Sequence, residues 1–281
     1  MIIPSAEIAD VAVVAAHYDE LDELYRSFWG TTLHHGYWIT GEESADEAVA
    51  NLTRLVAERA ELKGDDRVCD LGCGYGAVAL ALQREFGAEV TGLTVSGKQY
   101  ARAKSLAAGG ERLEFFLRDV LDNRLSGGAY DAVIAIESSE HVGDKAKFFA
   151  EAARLLRPGG RCVVAAWLTA EQPAAWQKKY LLEPICIEGR LPSMASASEY
   201  RAMLGNAGLR EIIFSDLTRQ VKKTWTLCSG RVAGRFLIDA AFRRRLADRR
   251  FSNRDFAKTV FRIWLAYQTG SMRYGLFSTV K

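Results

Sequence analysis

The stretch Val68-Cys69-Asp70-Leu71-Gly72-Cys73-Gly74-Tyr75-Gly76 limits what this chain can fold into more than any other feature. An apolar run that ends on three alternate glycines and opens into Ala77-Val78-Ala79-Leu80 reads as a strand, a tight turn and a helix start. Glycine lets the backbone reverse there and approach a ligand closely, and the free N–H groups of the helix N-terminus add hydrogen-bond donors. A purely structural turn would look the same in isolation, so its surroundings decide.

Strand-like and helix-like patterns alternate after this turn. Strands are expected over 67–71, 89–93, 113–117, 132–136, 161–167 and 211–214, and helices over 76–86, 96–108, 144–156 and 197–206. Such alternation specifies an α/β fold with a doubly wound, mostly parallel sheet. Helices over 6–28 and 44–62 precede it, and the run Arg273-Tyr-Gly-Leu-Phe-Ser-Thr-Val reads as a seventh and last strand, expected antiparallel. The chain therefore divides into a helical arm or lid (1–62), a ligand-binding core (63–216), a basic helical cap inserted before the last strand (217–270) and that strand (271–281). Arm and cap are expected over the carboxyl edge of the sheet, where such folds bind ligands.

Composition narrows the setting. Residues 1–218 hold 22 Lys/Arg against 32 Asp/Glu, whereas residues 219–281 hold 15 against 3. The cap is an electrostatic object of its own. Five cysteines without regular spacing argue for free thiols in a reducing cytoplasm, and the sequence has no basic-then-apolar leader and no membrane-length apolar run. Four histidines without an H-x-x-x-H spacing give no metal site.

Gly72, Gly74 and Ala77 satisfy a dinucleotide-binding pattern formally, but Thr94 stands where the acid that would hold a ribose is required. Asp70, two residues before the first glycine, suits a ligand that carries an ammonium group, as S-adenosylmethionine does. The segment resembles motif I of the class I S-adenosylmethionine-dependent methyltransferases, whose fold is Rossmann-like. Further landmarks of that family follow in order: Gly92-Leu-Thr94-Val95-Ser-Gly-Lys-Gln99, Arg118-Asp119-Val120, Ile136-Glu137-Ser-Ser-Glu140-His141 and Leu156-Arg-Pro-Gly-Gly160. The resemblance implies S-adenosylmethionine as cofactor, with Asp70, Gly72, Cys73, Gly74, Thr94, Val95, Gln99, Asp119, Val120, Ile136 and Glu137 around it.

Upstream, Tyr25-Arg-Ser-Phe28-Trp29-Gly-Thr-Thr-Leu-His34-His35-Gly36-Tyr37-Trp38 is similar to the arm of the tocopherol-methyltransferase-like branch. The cyclopropane-synthase branch is also similar, but it carries a cysteine that helps bind a bicarbonate base where His35 stands; Glu140 matches another ligand of that base. The resemblance implies methylation of C, O or N on a small lipophilic or aromatic acceptor, with alkene methylation and a non-catalytic cofactor-binding module as alternatives. His141 and Glu140, with His35 or Tyr25 arriving from the arm, are the candidate catalytic residues, because histidine has the pKa of a base at neutral pH. Arginines 231, 235, 243, 244, 245, 249, 250, 254 and 262 and Lys258, interleaved with aromatic residues, suggest a cap that closes the site with its apolar face. Its charge points to an anionic membrane surface or an acidic carrier protein, and nucleic acid is a poor fit to the acidic remainder.

Overall fold

The computed structural model describes residues 2–4, 10–29, 32–108, 112–247 and 256–281, without the side chains of 23–29, 245, 256 and 257. Helix α1 (Val11–Trp29) and helix α2 (Ala45–Arg59) precede the first long strand, and β1 (Ile3–Pro4) pairs with β7 (Ser193–Met194) in a small sheet of its own. Ser44 and Glu47 form a reciprocal capping box at the start of α2, which satisfies two otherwise orphaned N–H groups. Strands β2 (Arg67–Leu71), β3 (Glu89–Thr94), β4 (Leu113–Leu117), β5 (Tyr130–Ile136) and β6 (Leu156–Thr169) are parallel. β8 (Arg210–Asp216) and β9 (Met272–Val280) complete a sheet of order β4-β3-β2-β5-β6-β9-β8, with β9 antiparallel to both its neighbours. This is the seven-stranded, doubly wound arrangement expected from the alternation.

The strand order reverses between β2 and β5, and the crevice outside their carboxyl ends is where such sheets accept ligands. Helix α3 (Ala77–Phe86) leaves β2 through the glycine turn, and Ser96 caps helix α4 (Gly97–Ala107) after β3. Leu52, Val56, Ala79 and Leu82 cover one sheet face from α2 and α3. Helices α5 (Lys145–Leu155) and α8 (Ala197–Asn206) cover the other with Phe148, Phe149, Leu155, Tyr200 and Leu204. The arm is thus two things: α2 is a core layer, while α1 crosses the cleft. Asp19 on α1 accepts from the Ser96 hydroxyl at 2.5 Å and the Lys98 N–H at 3.1 Å, at the electropositive start of α4. Asp22 accepts from the Tyr75 hydroxyl at 2.7 Å.

Two features differ from the sequence expectation. Residues 175–188 are helical, as α6 (Ala175–Gln177), a π turn over Lys178–Leu182 and α7 (Glu183–Glu188). Pro184 reads as a helix breaker, yet it stands in the first turn of α7, where its missing N–H is tolerated. The insertion forms α9 (Thr218–Val221), α10 (Lys223–Ile238), α11 (Ala240–Ala247) and α12 (Phe256–Gln268), and none of its described residues forms the cleft wall. Trp225, Val232, Val260 and Ile263 pack into the main core cluster instead.

Gly92 shows why the turn needs its neighbours small. A Cβ there would lie 2.7 Å from Phe115 Cδ1 and 2.8 Å from Cys73 Sγ. Gly92→Ala is expected to destabilise the fold by about 1–3 kcal/mol through overpacking, read as a lower midpoint in urea unfolding with an unchanged slope.

Candidate functional site

The cleft lies between α1 and the carboxyl ends of β2, β3, β4 and β5, and encloses about 1170 Å³ of space counted out to open solvent. Its floor is the glycine turn. Gly72, Gly74 and Gly76 all take positive φ (94°, 53° and 81°), and the Gly72 and Cys73 N–H groups donate to the Leu93 carbonyl at 3.0 and 2.8 Å. A Cβ on Gly72 would collide with Ser138 at 2.3 Å, while one on Gly74 would meet nothing within 4 Å. The backbone at Gly74 therefore borders empty cleft.

Asp70 carries the electrostatic signature of the site. It is 2% exposed, and its Oδ2 is buried with no hydrogen-bond partner. Burial pushes its carboxyl up to about 7. A carboxylate in this state is relieved by a cation brought by a ligand, so the residue fits the ammonium of S-adenosylmethionine. At the end of β3 the Thr94 hydroxyl donates to Gln99 Oε1 at 2.8 Å, and Asp119 caps the turn after β4 by accepting from the Leu121 N–H at 2.9 Å. Val95, Val120 and Ile136 add apolar wall, and Glu137 closes the line at the end of β5. All eleven residues expected around the cofactor border this one cleft.

The candidate catalytic residues separate. His141 lines the cleft, with its Nε2 2.8 Å from the Tyr18 hydroxyl of α1. Burial and the Lys145 ammonium hold the imidazole down at about 4. Glu140 turns away. β6 outruns β5 beyond the Ile136–Ala165 pair, and Glu140 accepts from the Trp167 N–H at 2.5 Å, a donor beyond that last pairing. Its second oxygen accepts from the Ser139 hydroxyl, and burial pushes its carboxyl up to about 7. His35 also lies behind the cleft wall: its ring bonds Glu137, Trp225 and Tyr267. Tyr25 sits on α1, and its side chain is outside the described residues.

Glu137 is the meeting point of this rear network. Its Oε1 accepts from the His35 N–H, His35 Nδ1 and the Tyr274 hydroxyl at 2.8, 2.9 and 2.7 Å, and its Oε2 from Trp167 Nε1 at 2.7 Å. Burial alone would raise this carboxyl, but His35, with His34 behind it, holds it down at about 2. Sequence reasoning placed Glu137 at the cofactor but missed this second role, because Trp225, Tyr267 and Tyr274 come from distant segments. It also passed over Val11, Val14, Tyr18, Leu33 and Ser138 as parts of the wall.

The sequence profile described as mycolic acid cyclopropane synthetase matches residues 5–229. The 27-O-demethylrifamycin SV methyltransferase of Amycolatopsis mediterranei is 32% identical over 221 residues, covering 77% of this chain and 80% of that protein. The chloroplastic tocopherol O-methyltransferase of Arabidopsis thaliana is 32% identical over 233 residues, 75% of this chain and 67% of that one. Among solved structures, the [4+2]-cyclase SpnF superposes with a TM-score of 0.83 and 27% identity, covering 99% of this chain and 98% of that one.

Two measurements test the cleft. Affinity for S-adenosylhomocysteine, which keeps the ammonium, should weaken by up to about tenfold per pH unit below about 7, where Asp70 takes up a proton that the ligand must displace, and level off above it. Asp70→Asn should bind weakly at every pH and lose that dependence in calorimetry. Gly74→Val should retain a cooperative thermal transition while calorimetry finds no cofactor binding.

Proposed function

The chain belongs to the mycolic acid cyclopropane synthetase family and is an S-adenosylmethionine-dependent methyltransferase, and we propose that its acceptor is a small lipophilic or aromatic molecule. The observation that carries this is the lining of the cleft beyond those eleven positions, which includes Val11, Val14, Leu33, Val142 and Phe148 with His34, Tyr18 and His141. Such a wall with few polar groups suits a lipophilic body with one reactive polar atom. In this reading Asp70 takes the ammonium, Thr94, Val95 and Gln99 the ribose, Asp119 and Val120 the adenine, and Gly72, Cys73, Gly74, Ile136 and Glu137 the remainder of the cofactor.

The bound cofactor supplies a methyl already activated on a sulfonium. The chain's own contribution is alignment, exclusion of water and handling of a proton; alignment alone can account for about 7–11 kcal/mol of barrier. α1 covers the cleft for this purpose, held by Asp19 and Asp22. Glu140 and His35 act as positioning residues, while His141, and Tyr25 from α1, keep a place in the proposed catalytic group. Glu140 engaged with the Trp167 N–H weighs against the alkene-methylating alternative, whose bicarbonate base that residue would help to hold.

The exposed end of α10 supports a peripheral contact with an anionic lipid surface. Phe236, Leu237 and Ile238 are 48, 76 and 87% exposed, beside the exposed Arg243 and Arg244. Arg249, Arg250 and Arg254, and the side chain of Arg245, lie outside the described residues. Among the described residues no helix is long and apolar enough to cross a membrane. Five buried free thiols support a reducing compartment such as the cytoplasm.

A screen of phenols, prenyl alcohols, indoles and sugars, read as S-adenosylhomocysteine formed, should give turnover with lipophilic or aromatic members; turnover confined to sugars would refute the acceptor class. In co-sedimentation, anionic but not neutral vesicles should capture the protein at low salt, and Leu237→Glu/Ile238→Glu should remain in the supernatant. Equal recovery with both vesicle types would sink the lipid contact.

A further inference from the structure

The segment Thr32-Leu33-His34-His35 leads from α1 along the cleft and places two adjacent imidazoles in opposite circumstances. His35 is saturated. Trp225 Nε1 can only donate, so His35 Nε2 accepts from it at 2.5 Å and the ring proton sits on Nδ1, donated to Glu137. His34 is 5% exposed and forms part of the cleft wall. Its Nδ1 lies 2.8 Å from the His35 carbonyl oxygen. A carbonyl can only accept, so this nitrogen carries the proton and Nε2 keeps its lone pair. Nε2 is buried and has no hydrogen-bond partner. Leaving a buried acceptor unmatched is costly, and a hydroxyl brought by a ligand would remove that cost.

We propose that His34 Nε2 receives the hydroxyl proton of the acceptor, so that the substrate is a phenol or alcohol and the product its methyl ether. This rests on the methyltransferase reading above and adds to it the base and the atom that is methylated. The O–H bond breaks with its proton passing to Nε2 and its electron pair remaining on oxygen. A pair on that oxygen forms the bond to the methyl carbon while the carbon–sulfur pair departs with sulfur; the imidazolium then returns its proton to solvent.

The charges around the two cleft histidines favour His34 for this task. The Glu137 carboxylate faces His34 and stabilises an imidazolium there, opposed by His35, whereas burial keeps the ring neutral until it is used. The principal charge acting on His141 is the Lys145 ammonium, which penalises the same protonation. Glu137 also holds the His35 N–H at 2.8 Å, and the His35 carbonyl in turn orients His34, so the carboxylate positions the base through one residue of main chain.

The probe is 4-nitrophenol, whose neutral phenol band moves to longer wavelength when its hydroxyl donates a hydrogen bond, added to protein saturated with S-adenosylhomocysteine below the probe's own ionisation pH. Bound probe should show that red shift in the wild type and lose it in His34→Gln, with affinity for S-adenosylhomocysteine unchanged. With S-adenosylmethionine, kcat for ether formation should fall by about 10²–10⁴ in the variant. With cofactor and acceptor saturating, the wild-type kcat should also decline at acid pH, with a midpoint below the ordinary histidine range, and that decline should vanish in His34→Gln. If the variant fails to fold, nitrogen-15 NMR of the wild-type imidazoles separates the same outcomes: His34 Nε2 must be unprotonated in the cofactor complex and shift on addition of the probe. The same band position in both proteins, equal kcat, a protonated Nε2 in the cofactor complex, or a wild type that leaves the probe unbound would each overturn the assignment. Failure of the underlying reading is a separate event, namely no binding of S-adenosylhomocysteine and none formed from any acceptor.

Discussion

The Glu137 carboxylate is the interaction on which the geometry of the site depends. It closes the end of β5, where arm, core and last strand reach a single charge, and the cap reaches it through the His35 ring. A buried carboxylate is tolerated only when its oxygens are saturated, and here four donors do so from three separate parts of the chain. Breaking one partner would leave the charge short of a donor at its full desolvation cost, so the arm, Trp167 and Tyr274 are held to one arrangement. The backbone at Glu137 has φ 52°, a left-handed conformation that a side chain with a Cβ adopts at a cost of about 1–3 kcal/mol. Such strain persists where surrounding contacts over-determine it, and the ring of donors does that here.

A second carboxylate, Asp70, is handled the opposite way. It is more deeply buried than Glu137, yet one of its oxygens has no donor at all. The contrast separates structural charge from functional charge within one cleft: the first is neutralised by the protein, and the second waits for a ligand. His34 and His35 repeat the contrast among imidazoles. In both pairs the unsatisfied member borders the cleft and belongs to a segment anchored by satisfied neighbours, which is how a rigid frame holds a reactive group ready.

The sheet and the cofactor floor were legible in the sequence because their signals are local. A strand that ends on Gly72, Gly74 and Gly76 announces its turn, and strand and helix periods announce the layers around it. Side-chain direction was not legible. Glu140 and His141 are adjacent, as are His34 and His35, and in each pair one residue borders the cleft while the other turns to a strand end or to the cap. Backbone dihedrals at irregular strand ends decide that outcome, and they carry no periodic trace. Residues 175–188 show no sequence pattern as clear as those of the core, and a π turn leads there into the first turn of α7 around Pro184.

The position of β9 bears on how the chain matures as it leaves the ribosome. This strand lies between β6 and β8, pairing with β6 along nine residues from Met272 to Val280, yet both neighbours are synthesised before it. Until it emerges, one long edge of β6 is without its partner, an open template for pairing with other nascent chains. The whole cap, α9 to α12, must be spanned to close that gap, so this pairing closes the longest loop within the seven-stranded sheet. A polypeptide built in this order gains most from a chaperone that shields β6 while residues 217–280 are being made, and its yield in a heterologous host should respond to elongation speed through codons 217–280 more than to that of the glycine turn.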